Sequence, residues 1–250
     1  MIPKIIHFCW LSNDLFPKKI QRCIDSWKKQ LPDYKIVHWN TENFDIHKNK
    51  WTEQAFQTKN YAFVADYVRF YALYTMGGIY LDSDVEVLSS FDNLLKYKSF
   101  FGYEYTGVPE AAVVGAEKGT LWLKNALDWY DSYNFQNTDG SLNKIIAPLI
   151  MKYAFEKSVD FKLCDDEEKH EIDGNIVLPY EYFSPKNGFT GMIFDLENTI
   201  CIHHFGSAWL RPGVVRKIKK TMHILAINIF GKKRYNRFMY NHRPTFKFIN

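Results

Sequence analysis

Long apolar runs are what this chain most plainly lacks. None of its 250 residues falls in a window approaching the ~18 consecutive apolar residues that a membrane-spanning helix needs. Met1-Ile2-Pro3-Lys4 opens the chain without a basic leader and an apolar stretch behind it, so a cytoplasmic location is expected. Cysteine is scarce: Cys9, Cys23, Cys164 and Cys201 form no C-x-x-C pair, which removes the sequence signature of a cysteine zinc or dithiol site. Cys9 and Cys201 lie in apolar, strand-like runs and are read as buried, reduced thiols. Acidic residues are missing altogether from Arg211 onward, where eleven Lys or Arg stand. The first 210 residues hold the other 21 basic residues and all 28 acidic ones, a net charge of −7 ahead of a tail carrying +11. With 46% hydrophobic and 24% charged residues, the chain has the balance of a folded globule rather than a disordered segment.

Two parts are expected, a domain over residues 1–210 and a basic amphipathic helical segment over residues 211–250. In the second, Val215, Ile218, Met222, Leu225 and Ile229 recur at three- and four-residue intervals and share one helix face. Arg216, Lys217, Lys219 and Lys220 lie around the other side, and Lys232 to Tyr240 interleaves cations with aromatics. Such a segment suits an anionic bilayer surface, at about 1 kcal/mol per cation near the lipid. Docking of the apolar face on the domain is the plainer alternative. Nucleic acid would meet the same cations, but the membrane surface is the reading carried forward and no nucleic-acid partner is expected.

In the domain, Lys4 to Trp10 reads as a buried parallel strand, Pro17 to Gln30 as a helix and Lys35 to Trp39 as a second strand. Strand, helix and strand within forty residues indicate an α/β sheet. Asn60 to Met76 is the clearest helix and stops at Gly77-Gly78. Ile79-Tyr80-Leu81 then runs as an apolar strand into Asp82-Ser83-Asp84. Further strands are expected over Ser99–Tyr105, Ala111–Ala116 and Thr199–Phe205, and helices over Leu121–Tyr133 and Ser141–Glu156.

Asp82-Ser83-Asp84 carries the chemistry. Two carboxylates one residue apart at a strand end can turn toward one hard cation, Mn²⁺ or Mg²⁺, which takes oxygen ligands and keeps positions open for phosphate oxygens. A metal held there can neutralise a diphosphate as it leaves. Upstream, Asp66 and Arg69 share a helix face amid apolar neighbours, so both need polar partners. A sugar hydroxyl for Asp66 and a hydroxyl or phosphate for Arg69 would serve.

Ala65-Asp66-Tyr67-Val68-Arg69, followed by Tyr74-Thr75-Met76-Gly77-Gly78-Ile79-Tyr80-Leu81-Asp82-Ser83-Asp84-Val85, closely resembles the DXD sugar-binding glycosyltransferases. That group includes yeast α-1,6-mannosyltransferases, bacterial capsule and O-antigen transferases and, more distantly, clostridial glucosylating toxins. The opening Ile2 to Trp10, the Tyr182-Phe183-Ser184-Pro185 run and the His203-His204-Phe205-Gly206-Ser207-Ala208-Trp209 run are similar to the family's first strand and late motifs, in order. The resemblance covers roughly residues 1–210. It implies a GT-A fold, that is, a Rossmann-like nucleotide-binding sheet flanked by helices. It also implies a retaining, metal-dependent transfer of a hexose from a nucleotide-sugar, UDP-linked in our reading, to a glycan acceptor.

By the same resemblance Trp10 would stack on the nucleobase, Asp66 and Arg69 would hold the donor sugar, and Asp82, with Ser83 beside it, would meet ribose and metal. Asp84 would ligate the metal directly. His204 would be the late metal ligand, with His203 disfavoured because strand alternation points it the other way. Ser207 and Trp209 would close over the diphosphate. Ala111 stands where Asn is expected, and Ala147-Pro148 where Gly-Pro is. A lipid-linked glycan acceptor, a role in bacterial surface polysaccharide (capsule) synthesis and a peripheral position on the inner face of the cell membrane complete the expectation. Protein-modifying transfer and a non-catalytic sugar-nucleotide or membrane-binding module are the alternatives. A phosphatase of the haloacid dehalogenase type is disfavoured, since Glu86 stands where its motif wants Thr or Val.

Overall fold

The computed structural model of the chain describes residues 1–12, 14–104, 107–163, 168–194, 196–206 and 214–241. In chain order the elements are β1 (Ile5–Cys9), α1 (Lys18–Gln30), β2 (Lys35–Trp39), α2 (Lys50–Gln57), α3 (Tyr61–Met76), β3 (Gly78–Leu81), β4 (Val85–Val87) and β5 (Ser99–Tyr103). There follow β6 (Pro109–Ala116), α4 (Leu121–Ser132), α5 (Ala147–Ser158), β7 (His170–Ile172), β8 (Asn175–Leu178), β9 (Cys201–His203), α6 (Val214–Phe230) and α7 (Lys232–Asn241).

The main sheet is mixed, in the order β2-β1-β3-β6-β5-β8-β7. β1 runs parallel to β2 and β3, whereas β6 is antiparallel to both β3 and β5. Every residue of β3, β5 and β6 is buried, which is why these strands read as unbroken apolar runs rather than alternating ones. On one face α2 to α5 supply Trp51, Val64, Phe70, Trp122, Ile150 and Phe155 to the core. On the other, α1 contributes Ile20, Ile24 and Trp27, packed with Val85, Val87 and Phe91. The expected α/β class, a central sheet flanked by helices, is what the chain forms.

The Gly77-Gly78 pair sets the junction between α3 and β3. Both have positive φ, +68° and +116°, and a side chain at Gly78 would put its Cβ 2.6 Å from the Ile5 carbonyl oxygen. Only glycine tolerates that backbone so close to a neighbouring strand. His7 bonds the same turn: its Nε2 lies 2.8 Å from the Gly77 carbonyl, and Trp39 Nε1 donates to its Nδ1 at 3.1 Å. Because β1 and β3 are parallel, Trp10 and Asp82 leave the sheet at the same edge, where α/β folds place their sites.

One helix begins later than expected. The sequence pattern spans Ser141–Glu156, but α5 starts at Ala147 and carries its proline in the first turn. Deeper in a helix the Pro148 ring would clash with the carbonyl four residues back, whereas the first turn asks for no N–H there. The preceding stretch bridges Gln136 to Leu142 instead. The pattern gives no sign of α2, β4, β7 or β8, because three to eight residues are too few for a period to emerge.

The tail is helical as expected but docks through a different face. Ile227 and Tyr235 are buried in the main core, and His223 stacks on Phe189 and bonds the Tyr235 hydroxyl at 2.8 Å. Met222, Leu225 and Ile229 face outward, 64%, 53% and 70% exposed. The side chains of Val215 and Ile218, and the boundary between residues 210 and 211, lie outside what the structure describes.

Candidate active site

Four segments meet beyond the ends of β1 and β3. The first is the DXD turn. Asp82 N–H donates to the Ala112 carbonyl at 2.9 Å, and Val85 N–H donates back to the Asp82 carbonyl at 3.0 Å. That closes a tight turn with Ser83 half-buried between the two carboxylates.

The second is α3. Arg69, 5% exposed, places Nη2 at 2.9 Å from Asp82 Oδ1 and 3.2 Å from Asp66 Oδ1, with its guanidinium over the Tyr80 ring at 4.8 Å. Burial opposes the Arg69 charge, but Asp82 and Asp66 outweigh it and the group is held firmly protonated. Burial likewise pushes Asp66 up to about 6, against the pull of Arg69 and a backbone bond from Ala147. Asp82 is raised for the same first reason. The backbone of Ala147, not its side chain, meets Asp66, so alanine serves there in place of the expected glycine.

The third segment is β9, brought in by β4. Their antiparallel pairing sets Val85 opposite His203, although more than a hundred residues separate them. Asp82, Asp84 and His203 each offer a ligand atom, all within 4.8 Å of one another. His203 Nε2 is 3.6 Å from Asp84 Oδ1 and its Nδ1 is 3.1 Å from Glu110 Oε2. Burial works against a charge on His203, but Glu110 and then Asp84 more than compensate and raise its pKa to about 10.

Of the two adjacent histidines, the structure brings His203 rather than His204 to the carboxylates. His204, expected at the metal, follows the end of β9 and turns outward, with Nε2 2.8 Å from Glu86 Oε2 and Nδ1 3.2 Å from Lys186 Nζ. The reason is the phase of the strand: Cys201 and His203 share the face turned to Glu110. Without the β4 pairing, alternation along a three-residue strand cannot be phased.

Trp10 completes the edge. It is half-buried, packs edge-on against Phe16 at 5.4 Å and has a buried Nε1 with no acceptor among the described residues. Ser207 and Trp209 lie outside the described residues; immediately before them, Gly206 N–H donates to Asp84 Oδ2 at 2.5 Å. Ala111, where Asn is expected, is buried in β6.

Sequence reasoning misses Glu110, and it names Ser184 without giving it a role. Glu110 is 1% exposed. Its Oε1 accepts from Ala112 N–H at 2.7 Å, and its Oε2 accepts from the Ser184 hydroxyl. One glutamate inside the otherwise apolar Pro109–Ala116 strand is the available signal, since a buried carboxylate needs partners.

Two carboxylates and an imidazole, converging within 4.8 Å, form a donor set suited to Mn²⁺ or Mg²⁺. Residues 17–101 match the family described as "Glycosyltransferase sugar-binding region containing DXD motif". The inositol phosphoceramide mannosyltransferase 3 of Schizosaccharomyces pombe is 37% identical over 129 residues, 49% of this chain and 35% of that protein. The mannosyl phosphorylinositol ceramide synthase CSH1 of Saccharomyces cerevisiae is 35% identical over 132 residues, 50% of this chain and 34% of its own length. The chain thus spans about a third of the relatives it matches. Among solved structures, the PaToxG glycosyltransferase superposes with a TM-score of 0.49 at 20% identity, covering 64% of this chain and 70% of that one. The matched stretch, residues 17–101, contains Asp66, Arg69 and the DXD turn, so this part of the chain is similar to the sugar-binding region of the DXD glycosyltransferases.

Proposed function

We propose that the chain transfers a hexose from a nucleotide-sugar, UDP-linked in our reading, to a glycan acceptor carried on a lipid, with a divalent cation and with retention of anomeric configuration. The observation that carries this reading is the convergence of Asp82, Asp84 and His203 within 4.8 Å, beside the network that buried Arg69 makes with Asp66 and Asp82. A divalent cation bound by the three would supply Lewis-acid neutralisation of the diphosphate.

The chain's own residues do the rest by positioning. Trp10, at the same strand edge, offers an aromatic surface to the nucleobase. Arg69 is committed to Asp66 and Asp82, so it fixes both carboxylates rather than reaching freely for phosphate. Asp66, which also takes a backbone bond from Ala147, keeps further lone pairs with which to accept from a sugar hydroxyl. No carboxylate is assigned as a nucleophile, so retention would follow from front-face attack, the acceptor hydroxyl entering on the side the diphosphate leaves. Such a path relies on preorganised charge and orientation.

The lipid part of the reading is supported by two things. The relatives named above act, by their names, on inositol phosphoceramide. The outward face of α6, with Met222, Leu225 and Ile229 exposed beside Lys219 and Lys220, suits a peripheral position on an anionic membrane. No described helix is long and apolar enough to cross one. Surface polysaccharide synthesis remains our reading of the process, from the resemblance to capsule transferases.

The test is a donor screen, hydrolysis and thermal stabilisation across UDP- and GDP-sugars with and without Mn²⁺, with Asp84→Asn as control. One donor cleaved only with metal and intact Asp84 is the expected result. Metal-independent cleavage of that donor by Asp84→Asn would overturn the metal-dependent reading.

A further inference from the structure

Glu110 lies deeper than any other acidic group near the DXD turn, 1% exposed. Its oxygens have three neighbours: Ala112 N–H on Oε1, and the Ser184 hydroxyl and His203 Nδ1 on Oε2. An ionised carboxylate only accepts, so all three partners donate and the proton of His203 sits on Nδ1. Without a metal the neighbouring carboxylates also keep a proton on Nε2, the atom turned to Asp84 at 3.6 Å; a cation bound there would displace that proton, and Nε2 would supply the ligand lone pair. Histidines that bind metal commonly owe tautomer and ring orientation to such a carboxylate. The same side chain reaches the DXD turn by another path, since the Ala112 carbonyl accepts from Asp82 N–H at 2.9 Å.

We propose that Glu110, braced by Ser184, is the positioning residue that aims His203 Nε2 at the cation shared with Asp82 and Asp84. This rests on the metal reading given above. It also accounts for Ser184, in the Tyr182–Pro185 run, whose hydroxyl donates to Oε2 and holds the carboxylate in place. Glu110 therefore acts through His203 and touches neither donor nor acceptor.

Glu110→Gln is the informative change because it nearly preserves shape. The amide oxygen can still take Ala112 N–H, leaving the path to Asp82 intact. The amide NH₂ then faces His203 Nδ1, which must become an acceptor, and the proton moves to Nε2, where it blocks the metal bond. Mn²⁺ binding to the full chain, with UDP present, is read by loss of the free-ion electron paramagnetic resonance signal. The imidazole nitrogen coupling to bound Mn²⁺ is read by pulsed spectroscopy, and melting temperature reports the fold.

The expected result is a loss of Mn²⁺ affinity of about 10- to 100-fold in Glu110→Gln, with the imidazole coupling gone. In a His203→Ala background the same substitution should add almost nothing. Ser184→Ala, the milder variant should Glu110→Gln fold poorly, should lose about 5-fold, the worth of one buried hydrogen bond. Wild-type affinity and coupling in a folded Glu110→Gln, or additive losses in the double variant, would overturn the positioning role while leaving the metal reading intact. No Mn²⁺ bound by the wild type would overturn both.

Discussion

Nη2 of Arg69 lies 2.9 Å from Oδ1 of Asp82, tying the middle of α3 to the first carboxylate of the DXD turn thirteen residues on. The same nitrogen sits 3.2 Å from Asp66, so one buried cation serves two part-buried carboxylates. Removing it takes from both the positive charge that offsets their burial. Arg69→Met should therefore cost on the order of 3–5 kcal/mol and lower Tm by roughly 10 °C. Calorimetry checks this; a change of less than about 2 °C would mean that the network contributes little.

The two adjacent histidines should separate cleanly. His203→Ala should weaken Mn²⁺ binding at least about 10-fold. His204→Ala should change it less than about 2-fold, because it loses only part-exposed contacts to Glu86 and Lys186, away from the carboxylate pair. Titration calorimetry with Mn²⁺ on both variants decides, and the reverse order would restore His204 as the ligand.

Asp66 carries the pH dependence. Burial is the main cause that lifts it to about 6 from 3.8. A carboxylate raised by folding keeps its proton to higher pH in the native state than in the unfolded chain. Its contribution to stability therefore falls as pH rises between about 4 and about 6. Its capacity to accept from a sugar hydroxyl runs the opposite way. The kcat/KM for donor cleavage should show an acid limb near pH 6 that is lost in Asp66→Asn, in which residual activity is low and flat. An unshifted limb in that variant would assign the titration to another group.

The outward face of α6 makes a separate prediction. Leu225→Glu and Ile229→Glu place charges where 53% and 70% of those side chains now meet solvent, so the fold should survive. Binding to phosphatidylglycerol vesicles should fall by about 10-fold or more for each, the worth of one apolar side chain, with cleavage of soluble donor unchanged. Equal vesicle binding by wild type and both variants would count against a lipid-facing helix.

Much of this was legible in the residues. The Gly77-Gly78 stop could be read because two glycines after a helical period have few other uses. The strand running into Asp82-Ser83-Asp84 could be read because burial on both faces leaves an unbroken apolar run. The amphipathic α6 was equally plain as a period, but its orientation was not. Met222, Leu225 and Ile229 look like a docking face, yet Ile227 on the opposite side is the residue buried. Periodicity says that two faces differ, not which neighbour each one meets.

Local sequence by itself determined α3, the glycine turn and the pair of carboxylates, because each depends on residues within a few positions of one another. Only the tertiary structure decided that His203 rather than His204 joins them, and that Glu110 and Ser184 stand behind it. Those contacts span 93 and 74 residues of chain and depend on how β4, β6 and β9 are phased. Strand phase follows from pairing between distant segments, and a three-residue strand carries too short a pattern to declare it alone.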